Sequence, residues 1–289
     1  MIDIHNHIIF NVDDGSKSIE QSIEMIKMAK SVGVTDISFS PHYMEDGYKT
    51  EKTILYEKVD EIRNRLSEEN IDINLYLGEE VFIFPEMADN IDKLVTINNS
   101  RYILFELPLV EEANFLDQVI YELMSLGKVP ILAHPERYLI TSKDISVIED
   151  LAQKGVLLQI NINSLIGHYG SNAKKIATKL LKANMVQFAA SDAHSVNTYM
   201  KLSESIPTLE RIVGKEKAKE ILIDNPRKVL NDEEIEVEEF KSISKSKGSR
   251  FEDSLIYKLL KRWWVSYEEK NTFCFFNYAC MCNNYIKPS

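Results

Sequence analysis

Short runs that are wholly apolar, or that alternate apolar with polar residues, recur along the chain, each followed by a stretch whose apolar residues fall three or four apart. The first pair is 2–7, IDIHNH, and then 18–32, where Ile19, Ile23, Ile26 and Ala29 share one helical face and Gly33 closes the helix. The same alternation predicts six further strands at 36–40, 73–77, 102–105, 130–133, 156–161 and 186–190. Helices are predicted around 50–70, 114–126, 144–154, 172–184 and 198–212, with a short helical piece at 85–93. Seven βα units in about 230 residues suit a closed parallel α/β barrel better than two separate sheets. An open doubly wound sheet is the alternative, because periodicity does not reveal closure.

The pattern fades after Asn225 and Pro226. Residues 231–253, NDEEIEVEEFKSISKSKGSRFED, are mostly charged and read as an exposed linker. Residues 251–289 carry ten of the 27 aromatic residues and every cysteine. The expected organisation is therefore a barrel at 1–230, a charged linker at 231–253 and an aromatic tail of unknown role at 254–289.

Composition narrows the function. The 289 residues, 44% of them apolar, can bury a large core, while 34 Lys and Arg against 45 Asp and Glu give a formal charge of -11. That balance argues against a nucleic-acid surface and against docking on anionic lipid. There is no basic segment followed by an apolar run at the start and no window of roughly 18 apolar residues, so the expectation is a cytoplasmic protein with no signal peptide and no membrane insertion. The cysteines, Cys274, Cys280 and Cys282, are too few and too clustered to staple a domain. A cysteine phosphatase needs an arginine six positions after its thiolate; here those positions hold Ile286 and Cys280.

The chemistry gathers at strand ends. His5 and His7 close the first predicted strand, and His42, His134 and His194 follow the second, fifth and seventh. In parallel α/β folds the C-terminal ends of the strands build the active site. Acids fall in the same places: Asp14 in the first loop, Glu79 and Glu80 after the third strand, Glu106 after the fourth, and Asp192 before His194. A lone histidine at a strand end is ordinarily structural. Five of them with interleaved carboxylates form a hard oxygen and imidazole donor set, suited to two or three Mn, Fe or Zn ions. The spacing does not decide between Glu79 and Glu80, since adjacent strand residues face opposite ways. His168, in SLIGHYGSN, reads as a solvated loop residue. Arg137, three residues past His134, offers a fork of donors for phosphate, the alternative being a salt bridge to Glu136 or Asp192. Four carboxylates set against three divalent ions leave the pocket positive even before Arg137 is added, which suits a dianion such as a phosphate monoester.

Together MIDIHNHI, NVDDG, SPHY, GEEV, YILFELP, ILAHPERY and SDAH resemble the polymerase-and-histidinol-phosphatase (PHP) superfamily. More narrowly they resemble its bacterial manganese-dependent protein-tyrosine phosphatases of capsule and exopolysaccharide biosynthesis, the CpsB/CapC type, over roughly residues 1–230. The resemblance implies a distorted, incomplete (β/α)7 TIM-like barrel with three divalent metal ions, Mn2+ foremost and Fe or Zn as alternatives. It implies one metal on His5, His7, Glu80 and Asp192, a second on Glu80, Glu106 and His134, and a third on Asp14, His42 and His194. Arg137 corresponds to the phosphate-binding arginine; with His42, His194 and Asp192 it makes up the implied catalytic set. The implied substrate is the tyrosine-phosphorylated C-terminal tail of a bacterial tyrosine autokinase. The alternatives are a histidinol phosphatase and, in another class, a non-catalytic module that binds phosphotyrosine tails. The chain departs from the pattern in SVNTYMK, where Tyr199 stands in place of an expected arginine and Lys201 is the substitute on offer. The metal, the pathway and the oligomeric state are not fixed by sequence.

Overall fold

The computed structural model describes residues 1–110 and 113–243. Its strands are β1 (Ile2–Asp3), β2 (Asp36–Phe39), β3 (His42–Tyr43), β4 (Asn74–Leu77), β5 (Glu80–Phe82), β6 (Tyr102–Glu106), β7 (Val129–Ala133), β8 (Leu157–Asn161) and β9 (Phe188–Ala190). All pair in parallel, in the orders β1-β2-β4 and β3-β5-β6-β7-β8-β9. The two sheets are one wall, because β2 and β4 resume as β3 and β5 after breaks of two residues. The wall closes where Asn6 bridges Ala193, with the Asp192 N–H donating to the His5 carbonyl at 2.8 Å and the His7 N–H to the Ala193 carbonyl at 2.9 Å. Seven passes of the chain thus form a distorted parallel barrel, and the open sheet is set aside. The segment 2–7 pairs as a regular strand only at Ile2–Asp3, because beyond it Asn6 bonds individually to Ser38, Ser40 and the β9 end.

Alternation sorts the strand side chains onto two faces. Tyr102 and Leu104, Ile131 and Ala133, Phe188 and Ala190 join Ile2, Ile4 and Leu157 in the barrel interior. Their neighbours Ile103, Phe105, Leu132, Leu158 and Ala189 join the larger apolar layer under the helices. Each buried Ile, Leu or Phe among them contributes on the order of 1.5–3 kcal/mol.

The helices are α1 (Ile19–Ser31), α2 (Lys52–Glu68), α3 (Leu116–Ser125), α4 (Leu139–Lys143), α5 (Ser146–Gln153), α6 (Ser171–Lys182), α7 (Val196–Met200), α8 (Leu202–Val213), α9 (Lys215–Lys219) and α10 (Asn225–Leu230). The first starts at Ser18, whose side chain accepts the Gln21 N–H, and buries Ile23, Met25, Ile26 and Ala29. The single helix expected at 198–212 is two, α7 and α8. At 85–93 the chain makes turns and a 3-10 turn, Ile91–Lys93, instead of a helix. Helical structure also persists past Asn225: Val229 and Leu230 of α10 plug the lower end of the interior, and Arg227 clasps buried Asp36 through two bonds of 2.8 and 2.7 Å.

The start of the charged segment 231–253 runs along the barrel. Ile235 packs into the interior cluster, the Glu233 carbonyl accepts the Tyr102 hydroxyl at 2.6 Å, and the Lys241 N–H reaches the Ala183 carbonyl at 2.9 Å. Its remainder and the aromatic tail at 254–289 lie outside the described residues. Among the described residues no helix is long and apolar enough to cross a membrane.

Of the two adjacent glutamates, Glu79 turns away from the rim; its Oε2 accepts the Val95 N–H at 2.7 Å. Burial pushes its carboxyl up to about 7 from an ordinary 4.5, with the Val95 bond opposing. The folded state therefore holds this proton after the unfolded chain has lost it. The stability it lends is complete below 4.5, falls as pH rises to about 7 and is flat beyond. Glu79→Gln keeps an acceptor for Val95 without the charge. It should raise stability at pH 8 by roughly 2–3 kcal/mol and leave it nearly unchanged at pH 4.5. Urea unfolding at the two pH values checks this, and an equal effect at both would refute it.

Candidate metal centre

The inner face of the barrel changes character toward its upper rim. Tyr102 and Leu104 are followed by Glu106, Leu157 by Gln159 and Asn161, and Phe188 and Ala190 by Asp192. The breaks in β2 and β4 supply two more positions: β3 begins at His42 and β5 at Glu80, and these two are register partners. His134, directly after β7, and Asp192, two residues past β9, adopt left-handed backbone at φ 33 and φ 50. Such conformations cost non-glycine residues roughly 1–3 kcal/mol and cluster at functional sites. In the first loop, Gly15 packs so close beneath His7 that a Cβ there would lie 2.0 Å from the His7 carbonyl oxygen. Only glycine fits that turn.

The nine sequence-predicted ligands converge. Glu80 Oε2 lies 3.1 Å from His5 Nε2, 3.3 Å from His7 Nε2 and 3.2 Å from His42 Nδ1, while Oε1 meets His134 Nε2 at 2.9 Å. Asp192 Oδ1 faces His5, His7 and His194 at 3.6, 3.4 and 3.5 Å. Glu106 reaches His42 at 3.1 Å and His134 at 3.7 Å, and Asp14 reaches His194 at 3.2 Å and His42 at 3.6 Å. Their donor atoms form four overlapping groups: His7, Asp14, His42 and His194; His5, His134 and Asp192; His5, His7 and Glu80; His42, Glu80 and Glu106. Relative to the implied partition, His5, His7 and His42 are each shared between two groups, and His134 and Asp192 stand together with His5, His134 apart from Glu80 and Glu106 and Asp192 apart from His7 and Glu80.

These donors fit metal ions better than they fit one another. Glu80 Oε2 and His42 Nδ1 are buried without a hydrogen-bond partner, an arrangement a cation would satisfy. Two imidazoles are already oriented for it. His5 Nδ1 donates to Gln159 Oε1 at 2.7 Å, and His7 Nδ1 to Asp13 Oδ2 at 2.8 Å, so that each aims Nε2 at the cluster. Burial opposes a proton on His5, yet Glu80 and Asp192 outweigh it and hold the ring up to about 9. His7 is raised likewise against burial, by Asp13, Asp192 and Glu80. Although burial opposes its ionisation, Glu80 is held well below the usual carboxylate range by His5 and His42. Asp14, bonded to His194, is lowered to about 2. The cluster thus demands positive charge, which protons or metal ions can provide. With no sulfur among the donors, the set suits Mn, Fe or Zn.

Sequence reasoning missed three contributors. Asp13, beside the chosen Asp14, is the acceptor for His7 and also takes the Gly15 and His42 N–H groups at 2.9 and 3.1 Å. Gln159 orients His5, and Asn161 Nδ2 donates to Asp192 Oδ2 at 2.5 Å. The alternation along 157–161 held a signal for the last two, and the DD doublet a partial one for the first.

Arg137 stands at the rim, its side chain 27% exposed, with Nη1 donating to Asp192 Oδ2 at 2.7 Å. The salt bridge weighed as its alternative role is therefore present, in the same place as the cluster. Lys201 Nζ donates to His168 Nδ1 at 2.6 Å. Tyr199 is fully buried, its hydroxyl donating to Asp3 at 2.6 Å, so that position does not reach the rim.

Known proteins resemble this chain in sequence and in fold. The sequence model of the family described as capsular polysaccharide synthesis, CpsB/CapC, matches residues 1–231. Tyrosine-protein phosphatase YwqE of Bacillus subtilis is 35% identical over 219 residues, 75% of this chain and 86% of its own. Tyrosine-protein phosphatase CpsB of Streptococcus pneumoniae is 30% identical over 243 residues, 81% of this chain and 99% of its own. A crystal structure from work on YwqE and CpsB, described there as unique metal-dependent tyrosine phosphatases, superposes with a TM-score of 0.80 at 31% identity, covering 85% of this chain and 100% of the other.

Removing the charge of the His7 acceptor, and one of its two acceptor oxygens, should loosen the centre without unfolding the barrel. Asp13→Asn is expected to weaken Mn2+ binding roughly 10- to 100-fold in calorimetric titration, with an unchanged circular dichroism spectrum. Affinity equal to wild type would show that Asp13 does not orient a ligand.

Proposed function

The chain belongs to the CpsB/CapC family of capsular polysaccharide synthesis, and on that footing we propose that it is a metal-dependent protein-tyrosine phosphatase, a phosphoric monoester hydrolase. The observation that carries this reading is the convergence of nine oxygen and nitrogen ligands on one rim with Arg137 beside them. The proposed substrate is the phosphorylated tyrosine tail of a bacterial autokinase that governs polysaccharide synthesis and export, met in the cytoplasm. We assign His5, His7, Glu80 and Asp192 to one ion, Glu80, Glu106 and His134 to a second, and Asp14, His42 and His194 to a third, with manganese the proposed metal.

When bound, the ions supply a water of lowered pKa and neutralise charge on the phosphoryl group. The protein's own residues do the rest. Arg137, anchored by one nitrogen to Asp192, presents its other N–H groups to phosphate oxygens. Gln159 and Asp13 fix the two imidazoles, so the ligands need not reorganise during the reaction. His42 and His194 flank Asp14 at the more open side, where solvent can supply the proton that the departing oxygen takes up. Tyrosinate, with an alcohol pKa of about 10, leaves more readily than a serine alkoxide, so demand for that proton is modest.

Phosphate release from phosphotyrosine peptide, phosphoserine peptide and histidinol phosphate, with Mn2+ and with chelator, tests the reading. Mn2+-dependent turnover of phosphotyrosine is expected, falling at least about 100-fold in His134→Ala and Asp192→Ala. Turnover of histidinol phosphate alone, or unchanged rates in both variants, would overturn it.

A further inference from the structure

Among the described residues Arg137 is held by its edge at one point, and a single N–H contact leaves a guanidinium free to swing about it. What faces it is Tyr169. We propose that Tyr169 is the positioning residue for Arg137, fixing the plane of the guanidinium so that its free edge meets the phosphate; the inference rests on the phosphatase reading above.

Arg137 Cζ lies over the Tyr169 ring, 4.7 Å from its centroid, which is stacking distance for a guanidinium on an aromatic face. The Tyr169 hydroxyl lies 3.5 Å from Asp192 Oδ2, the same oxygen that accepts Arg137 Nη1 and Asn161 Nδ2. Ring face and carboxylate together hold the guanidinium on two sides, where either alone would hold it on one. The group is planar and its donors lie in that plane, so holding the plane aims the fork.

Tyr169 is itself held. It sits in SLIGHYGSN between Gly167 and Gly170, both at positive φ, just after a 3-10 turn at Ile162–Ile166. The His168 N–H donates to the Asn163 carbonyl at 3.1 Å and the Gly170 N–H to the Gly167 carbonyl at 3.0 Å. Asn163 is buried, donating to the Thr198 carbonyl at 3.0 Å and accepting the Ser205 hydroxyl at 2.6 Å. The His168 ring meets Tyr169 edge-on at 4.7 Å, and Lys201 braces His168 from outside. Lys201 therefore serves the loop that carries Tyr169, a different task from clasping phosphate.

The test uses the full chain loaded with Mn2+, with p-nitrophenyl phosphate as substrate and inorganic phosphate as competitive inhibitor. Tyr169→Ala should raise KM and the phosphate inhibition constant roughly 3- to 30-fold, with kcat within about 3-fold and metal content as in wild type. Tyr169→Phe and Tyr169→Trp, which keep a ring face, should recover most of the lost affinity. In an Arg137→Ala background, Tyr169→Ala should add no further loss, since the two residues act as one. Should Tyr169→Ala melt below assay temperature, Tyr169→Leu takes its place in the same cycle. Additive losses, a fall in metal content, or a Phe variant no better than Ala would overturn the inference. Absence of Mn2+-dependent turnover in wild type would instead overturn the phosphatase reading.

Discussion

Three imidazole nitrogens crowd the Oε2 of Glu80 at 3.1 to 3.3 Å, in a place where Glu80, His5 and His7 are sealed from solvent. Burying a carboxylate beside several histidines is costly unless positive charge accompanies it. That requirement organises the barrel. The rings must be held rigidly enough that their lone pairs converge, yet the cluster must lie at the rim, where ions and substrate can enter. A closed wall of parallel strands over an apolar interior meets both demands, because each strand ends at a fixed height with its last inward side chain facing its neighbours.

The irregularities of the wall follow from the same demand. Regular strands would run past His42 and Glu80; the breaks after Phe39 and Leu77 let β3 and β5 start at these ligands, paired in register. Left-handed His134 comes one residue after inward Ala133, where regular alternation would turn its side chain outward, and Asp192, on the inward parity of Phe188 and Ala190, is left-handed as well. Gly15 lets the first loop fold against His7 closely enough for Asp13 to take its Nδ1 hydrogen. Regularity of the fold is given up at the positions that carry chemistry, and the apolar interior below stabilises those departures.

Much of this was legible in the sequence because strand ends leave a sharp signature. A βα alternation places every histidine relative to the rim without knowledge of which strands are neighbours. What it does not place is a side chain whose role depends on a partner in space. Glu79 and Glu80 are indistinguishable until the start of β5 is known, and then one meets four histidines and the other the Val95 N–H. Asp13 and Gln159 act on histidines six and 154 residues away and look like an ordinary loop acid and strand amide. The division of 198–212 into α7 and α8 and the persistence of helix through Leu230 were equally hidden. Apolar spacing alone marks neither the boundary between two consecutive helices nor a helix in a charged stretch that is held by Arg227 on Asp36.

Asp192 joins the two halves of the site. Its Oδ1 faces His5, His7 and His194, while Oδ2 accepts Arg137 and Asn161. One carboxylate thus faces the imidazole cluster with one oxygen and fixes the place of Arg137, the group proposed to receive the substrate dianion, with the other. An ion on Oδ1 would draw charge from Oδ2 and weaken it as an acceptor, leaving more of the guanidinium's donor strength for phosphate. In the proposed phosphatase, phosphate affinity and metal occupancy would be coupled through that side chain, although the arginine touches no other proposed ligand among the described hydrogen bonds. A site built in this way favours a substrate whose charge matches the loaded centre, and a phosphate monoester has that charge.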